Sequence, residues 1–319
     1  MLIIDWCWFE RFGYLEWVRK YWPDPVGMAR ELKAMGFHIM QAQHPYMHKD
    51  SPHFKDFSDK GYLISWNPAQ VPDRWPPDGI RHAVDFSHPG ARKLWWKKIE
   101  PLFQQGIDGY WTDMGELETH PPGSSPHYLG SREKVHNIYT TLWNKALYDG
   151  QRSSSNKRVF CLPRTVYAGT QRYGAALWSG DIDPSWEVLE DQVVIGQQVC
   201  LSGQPYWASD IGGFQTTDFY DPELYIRWLQ WGAFCPIFRT HGTRPENEPW
   251  SFGPRAEKIA VDYIRIRYRL MPYIYSLVYK TSQIGLSVMR SMMIEFPGDE
   301  EAAEEECMAT RRDLVQLLG

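Results

Sequence analysis

Residues 106–116 read GIDGYWTDMGE, and this stretch decides the fold of the chain. A helical pattern precedes it, beginning near Ser87 and ending at Gly106, and glycine commonly ends helices. The short apolar run from Gly109 to Asp113 then predicts a buried strand with a carboxylate at its end. A long helix that leads into a buried strand indicates a parallel sheet flanked by helices.

The same alternation of short β-like runs and long helical patterns extends along most of the sequence. It predicts eight strands, at residues 2–4, 37–43, 83–86, 109–113, 159–163, 175–179, 205–208 and 288–294. Asp-Pro pairs predict helix starts at Asp24, Asp183 and Asp221, because aspartate caps a helix and proline suits its first turn. Eight strands with intervening helices favour a (β/α)8 TIM barrel over an open doubly wound sheet. We expect this α/β barrel to occupy residues 1–299, followed by an acidic tail at 300–319.

Composition excludes several classes of function. The net charge is 34 − 39 = −5 without a long basic run, which argues against a nucleic-acid partner. The sequence has no uncharged apolar run of about 18 residues, so we expect no membrane span. The five cysteines are scattered without a C-x-x-C pair, which indicates neither a zinc site nor a disulfide framework. No secretory signal precedes Leu2, which favours the cytoplasm, although a missing amino-terminal segment would remove any signal with it.

The aromatic content is high, at 15% of residues with 16 Trp and 18 Tyr. Aromatic rings stack on the apolar faces of sugars while carboxylates accept their hydroxyl protons. A large core together with an interface for self-association explains the same composition, so a homo-oligomer stays an alternative at this point.

In a barrel, side chains at the carboxyl ends of the strands point into the active site. These positions hold a set of mostly acidic residues: Asp5, His44, Asp85, Asp113, Glu116, Arg164, Asp181 and Asp210. This set of residues at the carboxyl ends of the strands suits a sugar pocket. Glycoside hydrolysis needs two carboxyl groups, one as nucleophile and one as acid/base.

Asp113 is the better candidate nucleophile, since Arg164 at the end of the next strand could keep it ionised. Asp181 is the candidate general acid, because the apolar neighbour Trp178 raises a carboxyl pKa and Gly180 lets the backbone turn. Alternatively, the two aspartates only cap a loop and a helix, although Asp183 is the better helix cap.

The stretch 106–116 resembles the nucleophile signature of glycoside hydrolase family 31, which contains α-glucosidases and α-xylosidases. Further matches to this family follow in order along most of the chain: Ile4 to Trp6, Trp178 to Asp181, Asp210 to Phe214, Arg239 to His241, Arg269 to Tyr273 and Val288 to Arg290.

The resemblance implies a retaining α-glycosidase that releases a terminal non-reducing sugar from an oligosaccharide or glycoside, without a metal or other cofactor. It implies Asp113 as the nucleophile and Asp181 as the acid/base, about 5–5.5 Å apart. By the same resemblance, a first group of residues holds the sugar hydroxyls: Asp5, Arg164, Asp210 and His241. A second group lines the apolar faces of the sugar: Trp111, Trp178 and Phe214.

The chain departs from the family pattern at two positions beside the catalytic aspartates. Gly115 replaces the asparagine of many α-glucosidases, and Ile182 replaces the asparagine after the acid/base. Members with glycine at the first position include α-xylosidases and sulfoquinovosidases, so the sugar stays open.

The family's accessory β-sandwich domains are also missing, and we expect a fragment. An inactive truncated barrel that only binds carbohydrate is therefore the alternative function. His44, His48 and His53 raise a third hypothesis, metal-dependent hydrolysis, but no glutamate of an H-E-x-x-H motif accompanies them.

Overall fold

The strand expected after Gly106 forms in the computed structural model, which describes residues 1–66, 82–117, 123–217 and 220–300. The chain divides into two units, Met1–Ala175 and Ala176–Gly319. The first unit contains these elements: β1 (Leu2–Ile4), α1 (Pro25–Ala34), β2 (Ile39–Gln43), α2 (Phe54–Ser58), β3 (Leu63–Ser65), β4 (His82–Val84), α3 (Pro89–Gln104), β5 (Gly109–Thr112) and α4 (Arg132–Ser154). The second contains β6 (Leu177–Trp178), α5 (Trp186–Leu201), β7 (Trp207–Ala208), α6 (Pro222–Gly232), α7 (Pro254–Ile284) and α8 (Met292–Glu295).

The sheet of the first unit is parallel, in the order β1-β2-β5. Ile3 pairs with Met40, and Gln41 pairs with Tyr110, so the carboxyl ends of the three strands lie at one edge. The segment predicted as a strand at 159–163 continues this sheet through single parallel bridges from Cys161 to Tyr110 and Ala175. All five residues of β2 are buried, as expected for a strand covered on both faces.

The third predicted strand, at residues 83–86, does not pair with a parallel neighbour as a simple alternation of strands and helices implies. It forms as β4 but pairs antiparallel with β3, a strand that the sequence analysis did not predict. β3 has only three residues and follows a turn at Gly61, so it is too short to show an alternating pattern.

The second unit has a parallel pair, β6 with β7, in which Leu177 faces Trp207 and Trp178 faces Ala208. Two predictions in this unit are wrong. The predicted strand at 288–294 overlaps α8, and Arg290, which precedes this helix, donates to the Glu295 carboxylate at its end. The helix predicted to start after Asp183 begins at Trp186, because the Ser185 hydroxyl accepts the Val188 N–H at 3.2 Å and caps it.

Much of the aromatic content forms the core of the first unit. Phe86 stacks on Trp143 with ring centroids 5.4 Å apart, and it meets Trp95 edge-on at 5.3 Å. All three rings are fully buried between α3, α4 and the strands. Packing therefore accounts for part of the unusual composition, as the alternative explanation of the aromatic content stated.

The helices in the described ranges include none that is both long enough and apolar enough to cross a membrane.

A cluster of charges fixes the amino-terminal end of β5. The Asp108 carboxylate lies 3.2 Å from Lys33 Nζ, 3.5 Å from Lys157 Nζ and 3.5 Å from His38 Nδ1. It also accepts the Ile39 N–H at 3.2 Å. Burial alone would raise the pKa of Asp108, but the Ile39 N–H and the two lysines outweigh it and hold the pKa below its usual value.

Asp108→Asn should lower the free energy of unfolding near neutral pH by about 1–3 kcal/mol, because charge-assisted hydrogen bonds are lost. The depressed pKa means that this stabilisation is present above the unfolded-state pKa and is lost as the pH falls through the folded-state pKa. Urea unfolding should therefore show a smaller difference between the two proteins at about pH 3.5 than near neutral pH.

The matched control is Asp149→Asn, which breaks an exposed ion pair with Lys145. Such pairs contribute about 0.5 kcal/mol or less, and an equal loss in both variants would contradict the role of Asp108.

Gly150 provides a second test of the packing between α3 and α4. A Cβ at this position would lie 2.2 Å from Cγ of the buried Trp96. Helix propensity favours alanine over glycine by about 1 kcal/mol, but overpacking of a core typically costs about 1–3 kcal/mol. We expect Gly150→Ala to lower the unfolding midpoint in urea, and we expect a smaller effect in a Trp96→Leu background. A stabilised Gly150→Ala protein would contradict this packing.

Candidate active site

Asp113 is the residue that follows β5, at the edge of the sheet where the carboxyl ends of the strands meet. Its backbone N–H donates to the Gln43 carbonyl at 3.0 Å, which continues the ladder with β2. Its Oδ1 accepts the Met114 N–H at 2.9 Å. The backbone of Met114 has φ +59°, and that of Leu117 has φ +54°, a region that costs a non-glycine residue about 1–2 kcal/mol. The backbone of the turn after β5 is therefore strained, and this turn fixes the position of the Asp113 carboxylate.

Arg164 lies between two carboxylates. Its Nε is 3.5 Å from Asp113 Oδ1, and its other end donates to Glu116 Oε1. The contact of Arg164 with Asp113 was predicted from the sequence, because Arg164 ends a neighbouring strand segment. The second contact anchors the guanidinium in one orientation.

His44 approaches Asp113 from the end of β2, with Nε2 3.5 Å from Oδ2. Burial by itself would raise the pKa of Asp113, but the contact with His44, the charge of Arg164 and the Met114 N–H outweigh it. The pKa of Asp113 is therefore below its usual value, and the carboxylate is ionised near neutral pH. The sequence placed His44 at this edge of the sheet and otherwise raised it only as a possible metal ligand.

Gly115 packs against α4, and this contact explains the absence of a side chain there. A Cβ at position 115 would lie 2.5 Å from Thr140 Oγ1. The Thr140 backbone carbonyl accepts from the side-chain amide of Asn144 at 2.8 Å, and the Oδ1 of that amide accepts from the Thr112 hydroxyl at 3.2 Å. A buried polar chain on α4 therefore supports the end of β5 and excludes a larger residue at position 115.

The other two predicted site residues of the first unit differ in their exposure. Trp111, on β5, is buried and pairs in register with Ala42. Asp5 follows β1, is exposed to solvent, and accepts the Trp6 N–H at 2.7 Å.

Asp85 has a structural role, although sequence analysis grouped it with the acids of the active site. Its buried carboxylate bonds the Ser87 hydroxyl at 2.6 Å, the Tyr128 N–H at 2.7 Å and His127 Nδ1 at 3.1 Å. Burial would raise its pKa, and these hydrogen bonds hold the pKa below its usual value. The carboxylate thus fastens the segment before α4 to the segment after β4.

In the second unit, Asp210 and Trp178 are joined by a residue to which the sequence analysis gave no role. Asp210 is fully buried and accepts from Arg239 Nη1 at 2.7 Å. The Arg239 guanidinium also lies over the Trp178 ring, 5.5 Å from its centroid. The only sequence signal for Arg239 is its place two residues before His241, within a motif of the resemblance.

Asp181 lies on an exposed turn after β6. Gly180, immediately before it, has φ +74°, which confirms the predicted sharp turn of the backbone. The turn is held by the Ile182 carbonyl, which accepts the N–H of Phe214 at 2.7 Å, and by the Gln215 amide, which donates to the Asp181 carbonyl at 3.3 Å.

Phe214 and His241 contact one another, with ring centroids 5.2 Å apart. The loop before Phe214 is fixed by the buried Arg244, which donates to the carbonyls of three consecutive residues, Ile211 to Gly213. Sequence analysis did not single out Arg244, because nothing in its local spacing indicates contact with that loop.

The three histidines considered as a metal site have separate partners. His44 faces Asp113, His48 Nδ1 accepts the Asp50 N–H at 3.1 Å, and His53 lies 3.8 Å from Glu16. Across the ranges that the structure describes, no three His, Cys, Asp or Glu side chains form a group that could hold a metal ion.

Comparison with known proteins gives the family. The sequence model described as "Glycosyl hydrolases family 31 TIM-barrel domain" matches residues 1–277. The chain belongs to glycosyl hydrolase family 31. This membership confirms the resemblance stated from residues 106–116 and the predicted (β/α)8 fold class.

Three relatives of this family 31 chain show how far the similarity extends. An alpha-xylosidase of Saccharolobus solfataricus is 34% identical over 313 residues, which are 94% of this chain and 41% of the relative. A probable glucan 1,3-alpha-glucosidase of Arabidopsis thaliana is 32% identical over 303 residues, 90% of this chain and 33% of the relative. The crystal structure of a GH31 alpha-xylosidase from a soil metagenome, complexed with xylose, matches with a TM-score of 0.88 at 32% identity. That match covers 94% of this chain and 48% of that chain, so this chain spans less than half the length of these relatives.

Arg239→Met should destabilise the family 31 chain strongly, because it leaves the fully buried Asp210 carboxylate without this cation. Breaking a buried ion pair on one side costs about 3–5 kcal/mol, and the double variant Arg239→Met with Asp210→Asn should recover part of that loss. Urea unfolding measures both effects. The control Arg227→Met breaks an exposed pair with Glu223 and should cost about 1 kcal/mol or less; equal losses would refute the assignment.

Proposed function

We propose that this chain is the catalytic barrel, residues 1–299, of a retaining α-glycosidase that releases a terminal non-reducing sugar. The observation that carries the proposal is the environment of Asp113, a carboxylate kept ionised by His44 and Arg164 at the carboxyl end of a barrel strand. An ionised, oriented and partly desolvated carboxylate is what a double displacement requires of its nucleophile.

In the first step, Asp113 attacks the anomeric carbon while Asp181 donates its proton to the glycosidic oxygen. The bond to the leaving group breaks with its electron pair, and a covalent β-glycosyl ester forms on Asp113. In the second step, Asp181 takes a proton from water, the water oxygen attacks the anomeric carbon, and the ester bond breaks. The released sugar has the α configuration, so the net result is retention.

Asp181 suits the acid/base role because its exposed turn leaves the carboxyl group accessible to both the leaving group and water. The role requires a group that exchanges protons twice in each turnover, and an exposed carboxyl group does so readily.

The remaining predicted residues would hold the sugar. Asp5, Arg164, Asp210 and His241 offer charged or polar groups for the hydroxyls. Trp111, Trp178 and Phe214 offer ring surface for the apolar faces of the sugar.

For the sugar itself, we propose an α-xyloside or α-glucoside. The proposal follows the activities named for two relatives, an alpha-xylosidase and a probable glucan 1,3-alpha-glucosidase. The packing of Gly115 against Thr140 agrees with the first of these, since the resemblance associates glycine at this position with α-xylosidases and also with sulfoquinovosidases.

The proposed reaction is tested with 4-nitrophenyl α-xyloside and α-glucoside. Asp113→Ala should lower kcat by at least about 10³-fold, because no covalent intermediate can form. Asp181→Ala should release 4-nitrophenol in a burst followed by slow turnover, since this leaving group needs little protonation. The exposed neighbour Asp183 gives the control Asp183→Ala, which should keep the parent rate.

Added azide separates the two roles by product. With Asp113→Ala it should give the β-glycosyl azide by direct displacement, and with Asp181→Ala the α-glycosyl azide from the covalent intermediate. Unchanged turnover in Asp113→Ala would refute the assignment of Asp113 as the nucleophile. Sugar binding by calorimetry without turnover in the parent chain would favour the alternative, a carbohydrate-binding barrel.

A further inference from the structure

His44 is the most buried charged or titratable neighbour of Asp113, yet it belongs to none of the motifs that carried the family resemblance. Its side chain is 2% exposed, and Nε2 lies 3.5 Å from Asp113 Oδ2. In the described part of the first unit, the charged groups at Asp113 are His44 and Arg164, with Glu116 on the far side of Arg164.

Three aromatic rings hold the imidazole in one orientation. Ring centroids lie 4.9 Å away for Phe12, 5.6 Å for Phe9 and 5.7 Å for Trp6. None of these side chains titrates, so the ionisable group that His44 faces is Asp113. Pro45 adds a backbone constraint, because the residue before a proline is confined to extended conformations.

The two ring nitrogens of His44 have different surroundings. Nδ1 is buried and has no hydrogen-bond partner among the described residues, whereas Nε2 faces a carboxylate. A proton on Nε2 matches this arrangement, since the N–H then points to the anion.

We propose that His44 is a positioning residue for the proposed reaction: its Nε2–H orients the Asp113 carboxylate toward the anomeric carbon and keeps it anionic. Arg164 bonds the other carboxylate oxygen, Oδ1, so the two residues hold the carboxylate from both sides. The effect of His44 on hydrolysis rests on the proposed function, whereas its effect on the charge of Asp113 does not.

The test compares three substitutions of His44. His44→Gln keeps a neutral N–H donor near the position of Nε2, whereas His44→Phe and His44→Met remove the donor and fill the aromatic pocket. His53→Phe is the control, because His53 is a half-buried histidine of the same unit whose carboxylate neighbour is Glu16.

The first measurement is the titration of Asp113 by carbon NMR of protein labelled at aspartate carboxyl groups, with Asp113→Asn to assign the signal. Loss of the donor removes one of the contacts that lower the pKa of Asp113, so the signal should titrate at higher pH in His44→Phe and His44→Met. In His44→Gln and His53→Phe it should titrate close to the parent.

The second measurement is the pH profile of hydrolysis of 4-nitrophenyl α-xyloside. In the Phe and Met variants kcat should fall by about 10- to 100-fold with KM changed much less, and the acidic limb of the profile should move to higher pH. His44→Gln should recover most of kcat.

The outcomes are distinct. A raised titration of Asp113 in a protein that hydrolyses no glycoside supports the role of His44 and refutes the proposed function. An unmoved titration in both His44→Phe and His44→Met, or in whichever of them folds, overturns the role of His44 even if the enzyme is active.

Discussion

A carboxylate that must stay charged inside a folded protein constrains everything around it, and in this chain that carboxylate is Asp113. Burial favours the neutral acid, so the charge persists only because polar groups meet both of its oxygens. His44, Arg164 and the Met114 N–H supply those contacts from three different segments. Each segment must hold its position to within a fraction of an ångström, and the aromatic packing around His44 and the ion pair of Arg164 with Glu116 serve that requirement.

The second unit uses a related physical solution at Asp210, where an arginine meets the buried carboxylate. Arg239 bonds the buried carboxylate and lies against the Trp178 ring, so one guanidinium fixes both an acid and an aromatic residue. A guanidinium suits this role because it is planar, permanently charged and weakly hydrated. Arg244 does similar work on backbone carbonyls, where it replaces the hydrogen bonds that an irregular loop would otherwise lack.

The sequence was sufficient wherever the deciding interaction is local. Asp24 and Asp221 cap α1 and α6 as predicted, Gly180 turns the backbone, and β5 ends immediately before Asp113. Local competition explains one failure, since Ser185 replaced Asp183 as a cap two residues later. The strand predicted at 288–294 failed because an apolar run fits either a strand or a helix, and Met292–Glu295 forms a short helix.

Patterns in the local sequence could not predict contacts between residues that are far apart in the chain. His44 and Asp113 are brought together only by the pairing of β2 with β5, and Arg239 reaches Asp210 from a separate loop. The sequence placed Asp85 correctly at a strand end. It could not show that the Asp85 carboxylate is hydrogen-bonded to Ser87, His127 and Tyr128. Strand order thus indicated which residues gather at one edge, while the division between chemical and structural roles depended on the side-chain partners.

The two ends of β5 each carry an anchored aspartate, Asp108 at the start and Asp113 after the last residue. Sliding the strand by one position would turn every side chain to the opposite face of the sheet. Such a shift would break both sets of ion pairs at once and would present Thr112 or Met114 where the carboxylate belongs. Correct pairing of β5 therefore fixes both ends of the strand together: a molecule in which it has paired in this register has Asp113 beside His44 and Arg164, and one in which it has slipped does not.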